Sequence, residues 1–344
     1  MRPKKLSFKE QVTNNQVVWR QKHIKDARKE KWNNGIEYEH LLPKDIWEQG
    51  LWEGIRDQLT NYIKDNRIQP HIMKHSLRSS WILNANLYYP IRAMPIFMNL
   101  FKEFISKNLG IGVTDISLVE LEFSFEWNDE LHPTSLLGEK DTGGRRGAGQ
   151  TSPDIAFICT THSGNCLILT ECKYTEDSFY PCTARREEDK GDKLGNPDPN
   201  RCLQRPDLID FTNGINCHQF LWGRQYWSLL RLSPAGLQSF LCCPAAKNGY
   251  QIFRQQALAE GIAKSGRFSQ VISAVAYDAD NTPLQGCLKT TGVKNWINEW
   301  GNLFQGTAQF KSWTHQDWVQ FIRNNQVNGS CQEWLDYVHE RYGY

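Results

Sequence analysis

The spacing of apolar residues predicts helices in the first third of the chain. Over about 45–64 apolar side chains recur every three or four residues, the period of one face of an amphipathic helix. The same period predicts a second helix over about 76–87 and, after Pro90 and Pro95, a third over about 96–107. We therefore expect a helical region before the first strand.

The period then changes from that of a helix to that of a strand. Over 119–127 apolar residues alternate with polar ones, which predicts a half-buried strand. Because alternate side chains of a strand share one face, Glu120, Glu122 and Glu126 are expected on its polar side.

Two short apolar runs, 154–160 and 166–173, predict two neighbouring strands. The five residues 161–165 between them are typical of a hairpin turn. A helix over 251–263 and a strand over 271–277 follow, so the pattern indicates an α/β protein.

Composition and these elements divide the chain into three parts. We predict a helical, basic N-terminal extension over 1–75, a core over 76–290 and a Trp-rich helical C-terminal extension over 291–344. Within the core, a glycine-rich segment over 132–151 is expected to be a loop, and about 177–222 to be a polar insertion.

The overall composition is that of a globular protein. The chain has 344 residues, of which 40% are hydrophobic and 23% charged, which excludes disordered, collagenous and coiled-coil classes. It has no apolar run long enough to span a membrane and no secretion signal, so we expect a cytoplasmic protein without membrane partners. Its ten cysteines are then expected to be free thiols.

Positive charge is concentrated at the N-terminus. Residues 1–31 carry ten basic and three acidic side chains, a net charge of +7, although the whole chain has only +2. Such a segment could neutralise phosphates, or it could be the solvated face of a helix. A second open question is whether Cys182, Cys202, Cys217 and His218 bind a structural zinc ion or are partly buried thiols.

Three residues of the predicted hairpin suggest chemistry. Glu171 and Lys173 are two residues apart in one strand and therefore project from the same face. Asp154 begins the neighbouring strand, and if Thr160 faces Cys166 it lies opposite Cys172, so a register shift of one residue or a bulge is needed to bring it to Glu171. Two carboxylates and an ammonium group at one sheet edge suit Mg²⁺ and phosphodiester hydrolysis.

These residues carry a resemblance to a known family. The pattern Pro153-Asp154 … Glu171-Cys172-Lys173 resembles the PD-(D/E)xK nuclease superfamily, which has the restriction-endonuclease-like fold. The run from Glu171 to Glu176 is similar to a bacterial group of restriction endonucleases with an E-x-K-Y-T-E signature. Further matches lie upstream and downstream, within about 76–280: Ser79, Ser80, Asn86, Leu87 and the run Tyr250-Gln251-Ile252-Phe253-Arg254-Gln255.

The resemblance implies a fold and a division of roles. It implies an αβββαβ core with a mixed sheet, and a catalytic site that requires Mg²⁺ or Mn²⁺. The implied roles are metal ligation by Asp154 and Glu171 and catalysis by Lys173, with an acidic residue of the first strand completing the site. We choose Glu122 for that residue from the polar face that it shares with Glu120 and Glu126. Gln251 is expected to position the nucleophile or a phosphate and Arg254 and Gln255 to bind nucleic acid, unless they form an ordinary polar helix face.

Arg145 and Arg146 lie in the glycine-rich segment before Asp154, where we expect them to contact DNA, the alternative being solvated loop charges. The function predicted from the sequence is thus a Mg²⁺-dependent DNA endonuclease in restriction or anti-phage defence. A structure-selective repair nuclease and a catalytically silent nucleic-acid-binding module remain alternatives. DNA, a second copy of the chain and other defence proteins are the expected partners.

Overall fold

The computed structural model describes residues 6–32, 34–70, 73–140, 142–147, 149–211 and 216–344. Three of the basic residues of the N-terminal segment, within 1–5, lie outside the described residues. So do residues 141 and 148 of the glycine-rich segment and 212–215 of the predicted insertion.

Helices form at both ends of the chain and between the strands. In chain order the α-helices are α1 Phe8–His23, α2 Glu53–Asp65, α3 Ser80–Ala93, α4 Pro95–Leu109, α5 Pro133–Leu137, α6 Tyr226–Leu229, α7 Pro234–Ser239, α8 Tyr250–Lys264, α9 Thr282–Gln285, α10 Trp296–Glu299, α11 His315–Asn325 and α12 Gln332–Tyr342. Short 3-10 helices are found at Lys44–Gly50, Thr183–Arg185, Pro199–Leu203, His218–Trp222, Lys289–Thr291 and Trp300–Asn302.

A five-stranded sheet forms the centre of the described chain. In chain order, the strands of the described residues, including those outside this sheet, are β1 Glu30–Lys31, β2 Glu37–Tyr38, β3 Val113–Leu121, β4 Ile155–Thr161, β5 Gly164–Lys173, β6 Arg231–Leu232, β7 Gln270–Tyr277, β8 Phe304–Gln305 and β9 Gln309–Thr314. The central sheet has the order β3-β4-β5-β7-β9. β3, β4 and β5 pair antiparallel, whereas β7 and β9 join in parallel. The protein is therefore α/β with a mixed sheet, as the sequence predicts.

Both faces of the sheet are covered. Along β4, Phe157 packs with the aromatic residues of α4 and α11, whereas its neighbour Ala156 belongs to the apolar cluster that includes α8. Successive strand residues point to opposite faces, so covering both faces explains why β5 is buried without alternation from Cys166 to Lys173.

The first strand of the sheet differs from the prediction. β3 spans Val113–Leu121, so most of the predicted strand over 119–127 is irregular. The strand ends because Glu122 has a φ of +48°, in the left-handed region, which interrupts the extended backbone. Trp127, predicted on the apolar side, is 55% exposed.

Helix α3 continues through Pro90, where the sequence predicts an interruption. A proline has no backbone N–H to donate to the carbonyl four residues earlier, here that of Asn86. The indole N–H of Trp334 donates to this carbonyl instead, at 2.9 Å. A tertiary contact thus replaces the missing helical hydrogen bond. The predicted helix over 45–64 is also divided, into a 3-10 helix at Lys44–Gly50 and helix α2.

The C-terminal part is not purely helical, contrary to the prediction for 291–344. Strand β9 supplies the last strand of the sheet, paired in parallel with β7. The tryptophans of this part are largely buried, and Trp318 and Trp334 are in the same apolar cluster as Val12 and Phe157. The indoles pack within the core because each buries a large apolar surface.

The N-terminal segment is packed rather than free. In α1, Val12 and Trp19 are buried, and the Gln16 amide donates to the carbonyl of Arg341 in α12 at 2.8 Å. Arg20 is also buried and donates to backbone carbonyls, including that of Leu41 at 2.8 Å. No helix in the described ranges is long and apolar enough to cross a membrane.

Candidate active site

The register of the β4–β5 hairpin brings the predicted site residues together. Thr161 pairs with Gly164, so only two residues, 162 and 163, form the turn. Cys159 consequently faces Cys166, and Ile155 faces Thr170. One step further along this register Asp154 lies opposite Glu171, so the one-residue shift that the site requires is present.

Glu171 and Lys173 share one face of β5, as their spacing predicts. Lys173 Nζ lies 2.7 Å from Glu171 Oε1, and both side chains are almost completely buried. Burial lowers the pKa of Lys173, but the Glu171, Glu176 and Asp154 carboxylates outweigh it and raise this pKa above its usual value. The lysine is therefore an ammonium group held in an ion pair.

Asp154 follows Pro153 and is fixed from two sides. Its Oδ2 accepts the backbone N–H of Cys172 at 2.6 Å, and its carbonyl accepts the side-chain amide of Asn84 at 3.0 Å. Burial and the Glu171 carboxylate raise the pKa of Asp154 well above its usual value, against the opposing effect of Lys173. The Glu171 carboxylate thus opposes the ionisation of Asp154, an effect that a bound cation would relieve.

Glu122 lines the same cavity as Asp154 and Glu171. Its backbone N–H donates to the carbonyl of Asp154 at 3.0 Å. Burial, then Asp154 and Glu171, raise the pKa of Glu122 well above its usual value. Gly147 comes so close that a Cβ there would lie 3.0 Å from the Glu122 carboxyl carbon.

The other two glutamates of the predicted polar face point elsewhere. Glu120 forms an ion pair with Arg146, and this pair lines a different cavity together with the exposed Glu126. The left-handed backbone of Glu122 separates it from Glu120, so the three do not share the single face that alternation predicts.

Helix α8 contributes the residues that the sequence places downstream. Gln251, Arg254 and Gln255 all line the cavity. The Gln255 amide donates to Ser273 Oγ at 3.1 Å and to the Ala274 carbonyl at 2.8 Å, so it also holds α8 against β7. Gln251 Oε1, Arg254 Nε and Gln255 Oε1 are buried without a hydrogen-bond partner among the described residues.

The cavity around these groups has a volume of about 360 Å³ and contains residues that the sequence analysis did not assign. Glu176 accepts from Ser80 Oγ at 2.5 Å and from the backbone N–H of Tyr174 at 2.9 Å, which ties the end of β5 to the start of α3. Lys9 and Tyr180 also line it. Glu176 belongs to the E-x-K-Y-T-E run, and Lys9 belongs to the basic N-terminal segment, so both carry a sequence signal, whereas none marks Tyr180.

The two arginines of the glycine-rich segment are not among the residues that line the cavity. Arg146 is paired with Glu120, and its carbonyl accepts the backbone N–H of Gln69 at 3.0 Å. Arg145 is exposed, and its Nε donates to the carbonyl of Thr142 at 3.1 Å. Gly147, Gln150 and Thr151 are the described residues of this segment that line the cavity.

A second cavity, of about 20 Å³, is lined by all four candidate zinc ligands: Cys182, Cys202, Cys217 and His218. Cys243 lines it as well. Burial raises the pKa of Cys202 to about 11 and of Cys217 to about 12, so both are thiols at neutral pH. His218 Nε2 contacts the Leu194 carbonyl at 2.9 Å. Across the described ranges, no group of three or more His, Cys, Asp or Glu side chains is arranged to hold a metal ion.

Comparison with known proteins assigns the chain to a family. Residues 13–343 match the family described as Restriction Endonuclease associating with ARP. No curated protein and no solved structure matches the chain. Because the family match covers nearly the whole sequence, including Asp154, Glu171 and Lys173, the chain belongs to this family of restriction endonucleases associating with ARP.

Proposed function

We propose that this protein is a metal-dependent nuclease that hydrolyses phosphodiester bonds of DNA at the Asp154–Glu171–Lys173 site. The observation that carries the proposal is the hairpin register, which sets Asp154 opposite Glu171 with Lys173 Nζ 2.7 Å from Glu171 Oε1. Membership of a restriction-endonuclease family supports both the nuclease activity and the DNA substrate.

Mg²⁺ suits the donor set, with Mn²⁺ as a substitute. Mg²⁺ is held in proteins by one or two carboxylates and takes its other ligands from water and phosphate, so a preformed cage of three acidic side chains is not required. Asp154 and Glu171 would be the protein ligands, and Glu122 stands beside them as a third carboxylate. When bound, the ion would polarise a phosphoryl oxygen and lower the pKa of a water ligand.

The residues around the carboxylates have distinct tasks in this proposal. Lys173, as an ammonium group, can only donate hydrogen bonds, so it would donate to a phosphate oxygen or to the attacking water. Its pairing with Glu171 holds the amine in the cavity before substrate arrives. Gln251 and Arg254 have buried polar atoms without partners among the described residues, which a phosphate or ordered water would satisfy.

We also propose that six consecutive main elements form the core of a restriction-endonuclease-like, PD-(D/E)xK fold. Helix α4, strands β3, β4 and β5, helix α8 and strand β7 follow one another in the order helix, three strands, helix, strand, apart from the short helices and β6 in the connections. The antiparallel β3–β4–β5 unit and the parallel addition of β7 support this assignment.

The proposed biological role is restriction, as part of anti-phage defence. The family description, which includes association with ARP, supports a nuclease that works with a second component. Cleavage of both strands of a duplex needs two sites, which a symmetric pair of chains would provide.

The test is cleavage of circular, linear and single-stranded DNA with Mg²⁺ and with EDTA. We expect discrete fragments from circular duplex with Mg²⁺ and none with EDTA. Asp154→Asn and Lys173→Met should each lower cleavage at least about a hundredfold while DNA binding persists. Asp115→Asn, on an exposed position of β3, is the matched control and should cleave like the wild type.

Each other outcome has a definite meaning. Shortening from ends or at branches would favour a repair nuclease. Tight binding with no cleavage would favour a silent binding module. Full activity of Asp154→Asn or Lys173→Met would move the active site elsewhere and contradict the proposal.

A further inference from the structure

An aromatic residue at the mouth of the cavity has an unusual backbone. Tyr180 has a φ of +58°, in the left-handed region that residues other than glycine rarely adopt. Glycine or asparagine is the ordinary choice for such a position. A tyrosine here therefore needs a reason other than the turn itself.

The surrounding backbone imposes this conformation. The N–H groups at the start of α8 donate back to the segment: Tyr250 to the carbonyl of Tyr180 and Gln251 to that of Phe179, both at 2.9 Å. Phe179 is completely buried, with its ring 5.1 Å from that of Trp296. These hydrogen bonds hold the backbone of Phe179 and Tyr180 against the start of α8, the helix that contains Gln251 and Arg254.

The ring itself is not held in this way. It is 50% exposed, and its hydroxyl has no hydrogen-bond partner among the described residues. Lys173 Nζ lies 5.9 Å from the ring centroid, so the aromatic face borders the site of the proposed chemistry. The fold thus presents a half-exposed aromatic ring at a fixed place, with the Lys173 ammonium group over one of its faces.

We propose that Tyr180 is a substrate-binding residue whose ring stacks on a nucleobase next to the scissile phosphate. The inference rests on the proposed nuclease function and adds a substrate class to it. Inside a regular duplex each base is covered on both faces by its neighbours, so a ring can stack only where a base is unpaired, flipped or at an opened step. The substrate is therefore DNA that is unstacked beside the cut, either because it is single-stranded there or because the bound duplex is opened at that step.

Binding without cleavage tests this directly. The wild type, Tyr180→Phe and Tyr180→Asn are compared in EDTA, by fluorescence anisotropy, on three oligonucleotides of one sequence: a single strand, an intact duplex, and a duplex with one unpaired 2-aminopurine. Asparagine tolerates the left-handed backbone and removes the ring, so it separates stacking from strain.

We expect Tyr180→Phe to bind like the wild type. Tyr180→Asn should weaken binding of the single strand and of the unpaired site by about tenfold, the size of one lost stacking contact. Its binding of the intact duplex should change less. Wild type and Tyr180→Phe should quench 2-aminopurine fluorescence, and Tyr180→Asn should not. The thermal midpoint of Tyr180→Asn should stay level or rise, because the strained side chain is gone.

The matched control is Trp127→Ala, which removes an aromatic residue of similar exposure that lines another cavity and should leave all three affinities unchanged. Equal affinities of wild type and Tyr180→Asn would overturn the stacking role while leaving cleavage, tested separately, unaffected. An equal loss in Tyr180→Phe would assign binding to the hydroxyl and also overturn it. A wild type that neither binds nor cleaves DNA would defeat the nuclease proposal, and this inference with it.

Discussion

Asn84 and Asn86 lie two residues apart in α3 and are both completely buried, but they support different parts of the molecule. The Asn84 amide donates to the carbonyl of Asp154 at 3.0 Å, and its Oδ1 accepts from Cys172 Sγ at 3.1 Å. The Asn86 amide instead donates to the Gly50 carbonyl at 3.1 Å and to Tyr342 OH at 2.8 Å. Only the first asparagine contacts the hairpin of the candidate site.

This difference predicts a split between stability and activity. Asn84→Ala and Asn86→Ala should each lower the free energy of unfolding by about 1–3 kcal/mol, since each leaves buried polar groups unpaired. Asn84→Ala should also lower cleavage by about tenfold or more, because Asp154 loses its support. Denaturant titrations and cleavage rates of both variants check this. Equal activity losses in the two variants would mean that Asn84 acts only through overall stability.

The crowding of Asp154, Glu171 and Glu122 predicts a stabilising effect of Mg²⁺ that needs no cleavage assay. A ligand that binds only the folded state at a hundred times its dissociation constant stabilises it by about 2.7 kcal/mol. We expect Mg²⁺ to raise the thermal midpoint of the wild type and of Asp115→Asn, but much less that of Asp154→Asn. An identical rise in all three proteins would place the ion elsewhere.

At the scale of elements, α1 is part of the fold although its sequence suggests a basic arm. Two of its basic side chains already have partners within the protein: Lys22 Nζ lies 2.7 Å from Glu340 Oε1, and Arg20 donates to buried carbonyls. Deleting this segment would therefore remove packing as well as charge. Single charge changes, such as Lys9→Ala at the cavity, are the better test of phosphate binding.

The packing of α1 makes a direct prediction. Trp19 is 5% exposed and packs edge-on against Tyr337 of α12, with ring centroids 6.1 Å apart. Trp19→Ala should lower the free energy of unfolding by about 3–5 kcal/mol through loss of buried surface and the cavity left behind. Val18→Ala, at a residue that is 65% exposed in the same helix, is the control and should change it little. Two indistinguishable denaturation curves would show that α1 is dispensable for stability.

At the scale of the whole molecule, a buried histidine connects the C-terminal part to the site. Because the Lys173 carbonyl can only accept, His315 Nε2 must donate to it, at 3.0 Å, and Nδ1 accepts from Tyr88 OH at 2.9 Å. This arrangement uses the neutral imidazole. Complete burial lowers the pKa of His315 to about 3.

The neutral, buried His315 makes the free energy of unfolding depend on pH. Between about pH 6.5 and pH 3 the unfolded chain binds a proton at His315 and the folded chain does not, so the contribution of His315 to stability falls as the pH falls through this range. The slope from this one group is about 1.4 kcal/mol per pH unit. His315→Gln should be less stable at pH 7 but have a shallower slope, measured by urea unfolding from pH 7.5 to 4.5. His162→Gln, in the exposed hairpin turn, should keep the wild-type slope.

The local features of this protein were predictable from its sequence. Strand alternation and spacing depend on backbone geometry that acts over a few residues, so β4, β5 and the common face of Glu171 and Lys173 follow from the pattern alone. The sequence pattern predicts helix α8 and strand β7 for the same reason. Membership of a restriction-endonuclease family agrees with the motif that these elements carry.

Only the tertiary structure decided which distant groups meet. The two-residue turn sets Asp154 opposite Glu171. The hydrogen bond from Trp334 allows α3 to continue through Pro90. Arg146 forms an ion pair with Glu120 and does not line the cavity. Residues 309–314 form a strand because they pair in parallel with the edge of β7. Such choices depend on burial and on the partners available across the fold, and these are properties of the assembled chain rather than of any short segment.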